Sequence, residues 1–124
     1  MTLKYERTIE DVRGKIFFYF QNDEFLGMAA TKKNFARGGH YMEIEQSLFL
    51  ISGKIKYFEK NIENNSEKIN IYSAPYMITV PPNTAILLIA LEDSLLVETL
   101  PQNQKLKIKY PEYRQIVTEK MKLN

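Results

Sequence analysis

The side chain best suited to chemistry in this chain is its single histidine, His40, which follows Arg37-Gly38-Gly39. An imidazole with an unperturbed pKa of about 6.5 can take a proton from a carbon beside a carbonyl. The guanidinium of Arg37 could bind a diphosphate or stabilise the enolate that such a transfer forms. Residues three apart on a regular strand face opposite sides, so Arg37 and His40 share a pocket only if the glycines introduce a bulge. The alternative for His40 is a hydrogen-bonded side chain inside the fold.

Three further side chains are candidates for the same pocket. Gln46 could exchange hydrogen bonds with a sugar hydroxyl, or it could satisfy backbone groups inside the fold. Met42 follows His40 by two residues and so shares its face on a strand, where it would contact a ligand or fill the core. Tyr19 lies in the aromatic run Gly14–Phe20 and could supply a phenol proton, although strand tyrosines commonly serve packing.

Residue counts exclude several classes of function. The chain has no cysteine, which excludes disulfides, iron–sulfur clusters, thiolate zinc sites and cysteine nucleophiles. Within one chain, a single histidine excludes metal sites that need two or three imidazoles, and we expect neither a metal nor another cofactor. The formal net charge of +2 is too small to indicate nucleic-acid binding. The longest apolar run, Ala85–Leu91, is too short to span a bilayer, and the N-terminus lacks a signal peptide, so a cytoplasmic protein is expected.

The hydrophobic pattern predicts one all-β domain over residues 1–124. Apolar and aromatic residues recur with a period of two in short runs that Pro, Gly and Asn separate, which is typical of a barrel or sandwich. Two of these runs, Ser47–Ser52 and Lys54–Glu59, are joined at Gly53 and predict a hairpin. Further strands are predicted at 69–72, 76–80, 84–91, 94–99 and 106–110. The barrel core would cover about residues 14–109.

The C-terminal tail has a different period. Pro111 and Glu112 are favoured in a first helical turn, and apolar residues at helical spacing predict a short helix over about residues 112–121. Its apolar stripe must pack either on its own barrel or on a partner subunit. The basic excess of this tail is typical of a solvated helix face. Together with the apolar strand Ile16–Phe20, the tail favours a homodimer.

The stretch Arg37–Gly53, RGGHYMEIEQSLFLISG, resembles the first motif of the cupin superfamily. That motif carries two histidines one residue apart, then a glutamate and a glycine. His40 takes the first histidine position, Met42 the second, and Gln46 the glutamate position. In the second motif, Ile86 stands where a further histidine would be. The resemblance implies a cupin-like β-barrel, a double-stranded β-helix or jelly roll, with a short C-terminal helix. Because amide, thioether and alkyl groups replace the usual ligands, it does not imply a tight catalytic metal.

Among cupins, the sequence is similar to two metal-independent groups, the dTDP-sugar 3,4-ketoisomerases and the dTDP-4-dehydrorhamnose 3,5-epimerases. The similarity implies an isomerase or epimerase that acts on or binds nucleotide-linked sugars. His40 and Tyr19 would be catalytic, and Arg37, Gln46 and Met42 would bind substrate. The alternative is a non-catalytic cupin that binds a small carbohydrate-like or acidic ligand, or only an assembly partner. The matching pieces are Arg13-Gly14-Lys15, Arg37 to Tyr41, Gln46, Gly53, Pro81 to Asp93 and Tyr110 to Val117.

Overall fold

The computed structural model describes residues 2–101 and 103–123. In this part of the chain, eleven strands and one C-terminal helix make up the fold. The helix α1 covers Pro111–Leu123, and one turn of 3-10 helix covers Gln104–Leu106. In chain order the strands are β1 (Leu3–Asp11), β2 (Gly14–Gln21), β3 (Glu24–Thr31), β4 (Ala36–Tyr41), β5 (Gln46–Ser52), β6 (Lys54–Asn61), β7 (Glu67–Ser73), β8 (Tyr76–Val80), β9 (Thr84–Ala90), β10 (Ser94–Thr99) and β11 (Ile108–Lys109).

The strands form two antiparallel sheets. The six-stranded sheet has the order β1-β2-β3-β10-β5-β8, and the five-stranded sheet has the order β11-β4-β9-β6-β7. The prediction of an all-β fold with a C-terminal helix is thereby confirmed. The sequence pattern does not predict β1, because nearly every residue in this strand is exposed and no buried period marks it. β1 pairs with β2 alone, at the edge of its sheet.

The predicted hairpin between β5 and β6 is present, and one glycine makes it possible. Gly53 has a φ of +94°, a region that L side chains rarely adopt. A Cβ at this position would lie 2.5 Å from the carbonyl oxygen of Asp93. After this turn the side chains alternate as the sequence predicts, because Ile55 and Tyr57 are fully buried while Lys54 and Lys56 are partly exposed.

One half of the space between the sheets is filled by apolar side chains, which we call the aliphatic core. Its fully or almost fully buried members come from β5, β6 and β8, and β9 and β10 complete it. The fully buried members of this core contribute hydrophobic stabilisation, since they leave water on folding. Its members are Leu48, Leu50, Ile55, Tyr57, Ile78, Val80, Ile86, Leu88 and Leu96.

Helix α1 packs on the outer surface of the five-stranded sheet. Tyr113 and Val117 are buried there against Ala36 and Leu87. The hydroxyl of Tyr113 donates a hydrogen bond to Glu67 at 2.6 Å, which fixes the helix to β7. The apolar stripe of the tail is therefore covered by its own chain and not left for a partner. No helix in the described residues is both long enough and apolar enough to cross a membrane.

Candidate functional site

The other half of the space between the sheets contains a cavity of about 280 Å³. Aliphatic side chains shared with the aliphatic core, such as Leu48 and Leu88, form part of its wall. The remaining wall is unusually rich in charge for the inside of a small β-sandwich. Its ionisable groups are Arg13, Arg37, His40, Glu98, Lys107 and Arg114.

A bulge in β4 brings Arg37 and His40 to the same cavity. The pairing of β4 with β9 shifts register between Gly38 and His40, so one extra residue is inserted. Gly38 and Gly39 have φ values of +107° and +85°. A Cβ on Gly38 would lie 2.5 Å from the carbonyl oxygen of Ile86, so this bulge requires glycine. The glycines therefore introduce the bulge that Arg37 and His40 need in order to share a pocket.

Arg37 is a buried cation without a carboxylate partner. The residue is only 8% exposed, and within the described residues no Asp or Glu oxygen lies within 4.0 Å of its guanidinium. Its Nε donates to the hydroxyl of Thr31 at 2.6 Å, and a terminal nitrogen donates to the carbonyl of Ala30 at 3.2 Å. These bonds use two of five N–H donors. Burial, followed by the charge of Arg13, lowers the pKa of Arg37 to about 10, so the group stays charged at neutral pH. The more distant carboxylates of Asp11 and Glu98 oppose this shift only in part.

The other charged groups of the wall have partners inside the protein. Arg13 forms a bidentate pair with Asp11, with a shortest N–O distance of 2.6 Å. Lys107 lies 3.6 Å from Glu98, the single carboxylate among the described lining residues. Arg114, in the first turn of α1, donates to the carbonyl of Gly38 at 2.8 Å and so fixes the bulge to the helix. The cavity keeps a net positive charge.

His40 is a neutral imidazole in this setting. Burial is the main cause that lowers its pKa to about 4, and the charges of Lys107, Arg114 and Lys109 lower it further. A contact with the backbone of Gly38 opposes this shift only in part. A neutral imidazole can accept a proton or a hydrogen bond, but with this pKa it is a weaker base than an ordinary histidine.

Of the other three predicted site residues, Gln46 lines the cavity, whereas Met42 and Tyr19 do not. Gln46 is buried and lines the cavity, and no hydrogen bond identified in the described residues uses its side-chain amide. Met42 is buried but does not line the cavity. It follows the end of β4, and its carbonyl accepts a hydrogen bond from the amide of Asn83. Tyr19 does not line the cavity either. It lies on the outward side of its sheet, while its neighbour Phe18 points inward.

Sequence reasoning does not identify four charged residues of the wall. Arg13 and Arg114 lie in segments that carry the family resemblance, Arg13-Gly14-Lys15 and the C-terminal piece, so a signal for them exists. Lys107 and Glu98 lie in stretches of sequence whose residue pattern does not indicate a binding or catalytic site. They reach the cavity because β11 pairs with β4, and β10 lies between β3 and β5.

Comparison with solved structures identifies the fold. The chain is similar to CapF, the capsular polysaccharide assembling protein of Staphylococcus aureus, with a TM-score of 0.71 and 12% identity over 83% of this chain and 33% of CapF. It is similar to oxalate decarboxylase of Bacillus subtilis, with a TM-score of 0.69 and 12% identity over 83% of this chain and 30% of that one. The third example is Drosophila melanogaster CENP-C bound to CAL1, with a TM-score of 0.63 and 14% identity over 74% of this chain and 73% of that one.

These matches establish the cupin fold and nothing finer. The chain spans about one third of the length of the CapF and oxalate decarboxylase chains that it matches. No protein-family profile matches the sequence. No curated protein matches it either.

The inward positions do not fit a Mn(II) centre, the kind of metal site present in Bacillus subtilis oxalate decarboxylase. The described residues contain no group of three or more His, Cys, Asp or Glu that could hold a metal ion. His40 is the single imidazole, Ile86 is aliphatic, and Gln46 offers a neutral amide in place of a carboxylate. Manganese prefers several oxygen ligands, carboxylates among them, so one imidazole and one amide oxygen are too few donors to hold it.

Proposed function

Because this chain has a cupin fold with a positively charged cavity, we propose that it binds a small anionic molecule there. The ligand would carry a carboxylate or phosphate group and would be about the size of a monosaccharide. The single observation that carries the proposal is Arg37, a buried cation that faces the cavity and has no carboxylate partner among the described residues. An unpaired buried charge is costly, and an anionic ligand would remove that cost.

The donors in the cavity fit an anion in geometry as well as in charge. The free N–H groups of Arg37 form a planar fork that matches the two oxygens of a carboxylate or phosphate. The Gln46 amide and the neutral His40 ring are left to bind hydroxyl groups on the rest of the ligand. Oxalate decarboxylase, a structural neighbour, is named for a small acid, which agrees with a ligand of this class.

The volume of the cavity limits the size of the ligand that it can enclose. At about 280 Å³ it lies just below the usual range for ligand pockets, about 300–1,000 Å³. A sugar acid, a sugar phosphate or a short dicarboxylate fits this space. In a nucleotide sugar, only the sugar or the diphosphate would be enclosed, and the nucleoside would lie outside the cavity.

A second candidate is a metal-independent isomerase or epimerase of nucleotide-linked keto sugars. The observation in its favour is that His40 and Arg37 line one cavity, as a base and an enolate-stabilising cation would. The low pKa of His40 and the position of Tyr19 on the outward side of its sheet favour binding over catalysis. Proton exchange at the carbon beside the ketone of a dTDP-linked keto sugar, followed by NMR in D₂O, would favour the enzyme.

The test is a thermal-shift titration with a panel of ligands. The panel contains glucose, glucose 1-phosphate, glucuronate, oxalate and dTDP-glucose. A ligand present at a hundredfold excess over its Kd adds about 2.7 kcal/mol to the free energy of unfolding, a rise in Tm of about 10 °C for a domain of this size. We expect at least one anion to raise the Tm in a saturable way and glucose to leave it unchanged.

The matched variants are Arg37→Met and Arg7→Met. Both remove one positive charge, but Arg7 lies over the ring of Phe18 at 4.7 Å and does not line the cavity. Loss of charge-assisted hydrogen bonds should raise the Kd of the Arg37 variant about ten- to a hundredfold. The Arg7 variant should bind as the wild type does. Equal affinity in all three proteins, or no saturable shift with any anion at millimolar concentration, would contradict the proposal.

A further inference from the structure

Polar groups lie at two ends of the cavity, and the strand register shows which residues belong to each end. On the six-stranded sheet, Thr31 pairs with Ser94 and Gly27 pairs with Glu98, so Thr31 and Glu98 are four residues apart along one pair of strands. This separation corresponds to about 13 Å. Arg37 reaches the Thr31 end, because its Nε donates to the hydroxyl of Thr31. We call this end, with Arg37 and Thr31, the arginine end.

The opposite end of the cavity, which we call the glutamate end, is formed by Glu98, Gln46 and Lys107. In β5, Leu48 is the residue opposite Glu98. Gln46 precedes Leu48 by two residues, so the two side chains share a face of the sheet and Gln46 lies one row further from the arginine end.

Strand β11 positions Lys107 at the glutamate end from the opposite sheet. Its antiparallel pairing places Ile108 opposite Tyr41, the last residue of β4. Lys107 therefore lies beyond the end of β4, whereas Arg37 is near the beginning of that strand. The two sheets agree on the direction that leads from the arginine end to the glutamate end.

The charged groups of the glutamate end do not saturate each other. The Nζ of Lys107 lies 3.6 Å from a carboxylate oxygen of Glu98, which is longer than a charge-assisted hydrogen bond. On the neighbouring strands, Glu98 is opposite Gly27 and Leu48, which have no polar side chain to offer. This end of the cavity can therefore both donate hydrogen bonds to a ligand and accept them from it.

We propose that the cavity selects an acid with one anionic end and a hydroxylated tail, such as a sugar acid with a single carboxylate, and that Glu98 determines this specificity. The inference rests on the anion site proposed above and adds an orientation to it. The carboxylate of the ligand binds at the arginine end, where Arg37 has unused N–H donors. The hydroxyl groups of its tail lie at the glutamate end.

A hydroxyl group fits the glutamate end better than a second carboxylate does. A hydroxyl donates to the carboxylate of Glu98 and accepts from the ammonium of Lys107, so it satisfies both groups without separating them. A carboxylate only accepts, so it competes with Glu98 for Lys107 and is repelled by the charge of Glu98. An alkyl tail leaves both charged groups without a polar partner. Diacids and simple alkyl acids are therefore disfavoured.

The test compares three acids of equal chain length by isothermal titration calorimetry. Gluconate has one carboxylate and a hydroxylated tail. Glucarate has a second carboxylate in place of the terminal hydroxymethyl group, and hexanoate has no hydroxyl group. We expect gluconate to bind at least about tenfold more tightly than either of the other two acids.

Glu98→Gln tests the residue itself. The amide keeps the size of the side chain but removes its negative charge, so Lys107 becomes free to bind the second carboxylate of glucarate. The Kd of glucarate divided by that of gluconate should fall at least about tenfold. Glu10→Gln is the matched control, because it removes a carboxylate that lies 4.0 Å from Lys15 in an ion pair outside this cavity. The control should keep the wild-type preference for gluconate.

The outcomes separate this inference from the anion site on which it rests. If Arg37→Met weakens binding but the wild type binds gluconate and glucarate equally, or Glu98→Gln leaves their ratio unchanged, the anion site stands and the role of Glu98 is overturned. The same conclusion follows if glucose 1-phosphate binds through Arg37 and none of the three acids does. Absence of saturable binding for every anion would overturn both proposals.

Discussion

The two halves of the space between the sheets are built by the same strand geometry and contain opposite kinds of side chain. In the aliphatic core, inward positions hold residues such as Leu50, Ile55 and Val80, all fully buried. In the cavity, equivalent inward positions hold Arg37, Gln46 and other polar groups. A fold that needed only stability would fill both halves with apolar groups, since a buried cation is costly. This difference supports the proposal that the cavity binds a ligand.

The boundary between the halves is a wall of side chains that belong to both. Leu48 and Leu96 from one sheet, and Ile86 and Leu88 from the other, pack in the aliphatic core and also line the cavity. An apolar wall excludes water from one side of the cavity and lowers the local dielectric constant. Charged groups beside it therefore interact strongly with each other and with any anion that binds.

The largest expected effect is on the core side. Ile55→Ala should lower the free energy of unfolding by about 2–5 kcal/mol, because it removes buried methyl groups and leaves a cavity where packing cannot relax. Chemical denaturation gives this value. Ile71→Ala, at an exposed position, should change stability by no more than about 0.5 kcal/mol. Similar losses in the two variants would mean that the aliphatic core is not the main source of stability.

On the cavity side, the expected effect on stability is smaller. Arg37→Met keeps the length of the side chain but removes its charge and its hydrogen bonds to Thr31 and Ala30. Removal of an unpaired buried cation offsets the lost bonds, so the free energy of unfolding, measured by chemical denaturation, should stay within about 1 kcal/mol of the wild type. A loss as large as that of Ile55→Ala would show that Arg37 serves structure and not binding.

A third effect depends on pH. His40 has a folded-state pKa of about 4, below its unfolded value, so it contributes stability above pH 6.5 that is lost as the pH falls toward 4. His40→Asn should therefore show a shallower fall in Tm than the wild type between about pH 6.5 and pH 5, a range above most carboxylate titrations. Identical Tm profiles for the two proteins over this range would contradict a lowered pKa.

Local patterns in the sequence are enough to predict most strands. β8 and β10 have the predicted bounds, and the Gly53 hairpin lies where the turn signal indicates. These features depend on near neighbours, since alternation and a glycine turn are properties of a few consecutive residues. β1 is not predictable in the same way, because an exposed edge strand has no buried face to leave a period in the sequence.

The candidate site can be predicted only where its residues are close in sequence. Arg37, His40 and Gln46 lie within ten residues, and the two glycines indicate the bulge that brings Arg37 and His40 together. Lys107 and Glu98 cannot be assigned to the site in this way, because they come from segments whose partners are distant in the chain. Tyr19 alternates with inward residues, so a shift of one position changes which face its phenol takes.

Residue types and short-range spacing are sufficient to define the strands, the glycine turns, the C-terminal helix and the lack of thiol or multi-histidine chemistry. Each of these depends on contacts within a few positions of the chain. Two other properties follow only from the packed fold: Arg37 is buried without a carboxylate partner in the described chain, and α1 covers its own sheet. They arise when strands far apart in the chain become neighbours, and strand order is set by the packing of the whole domain.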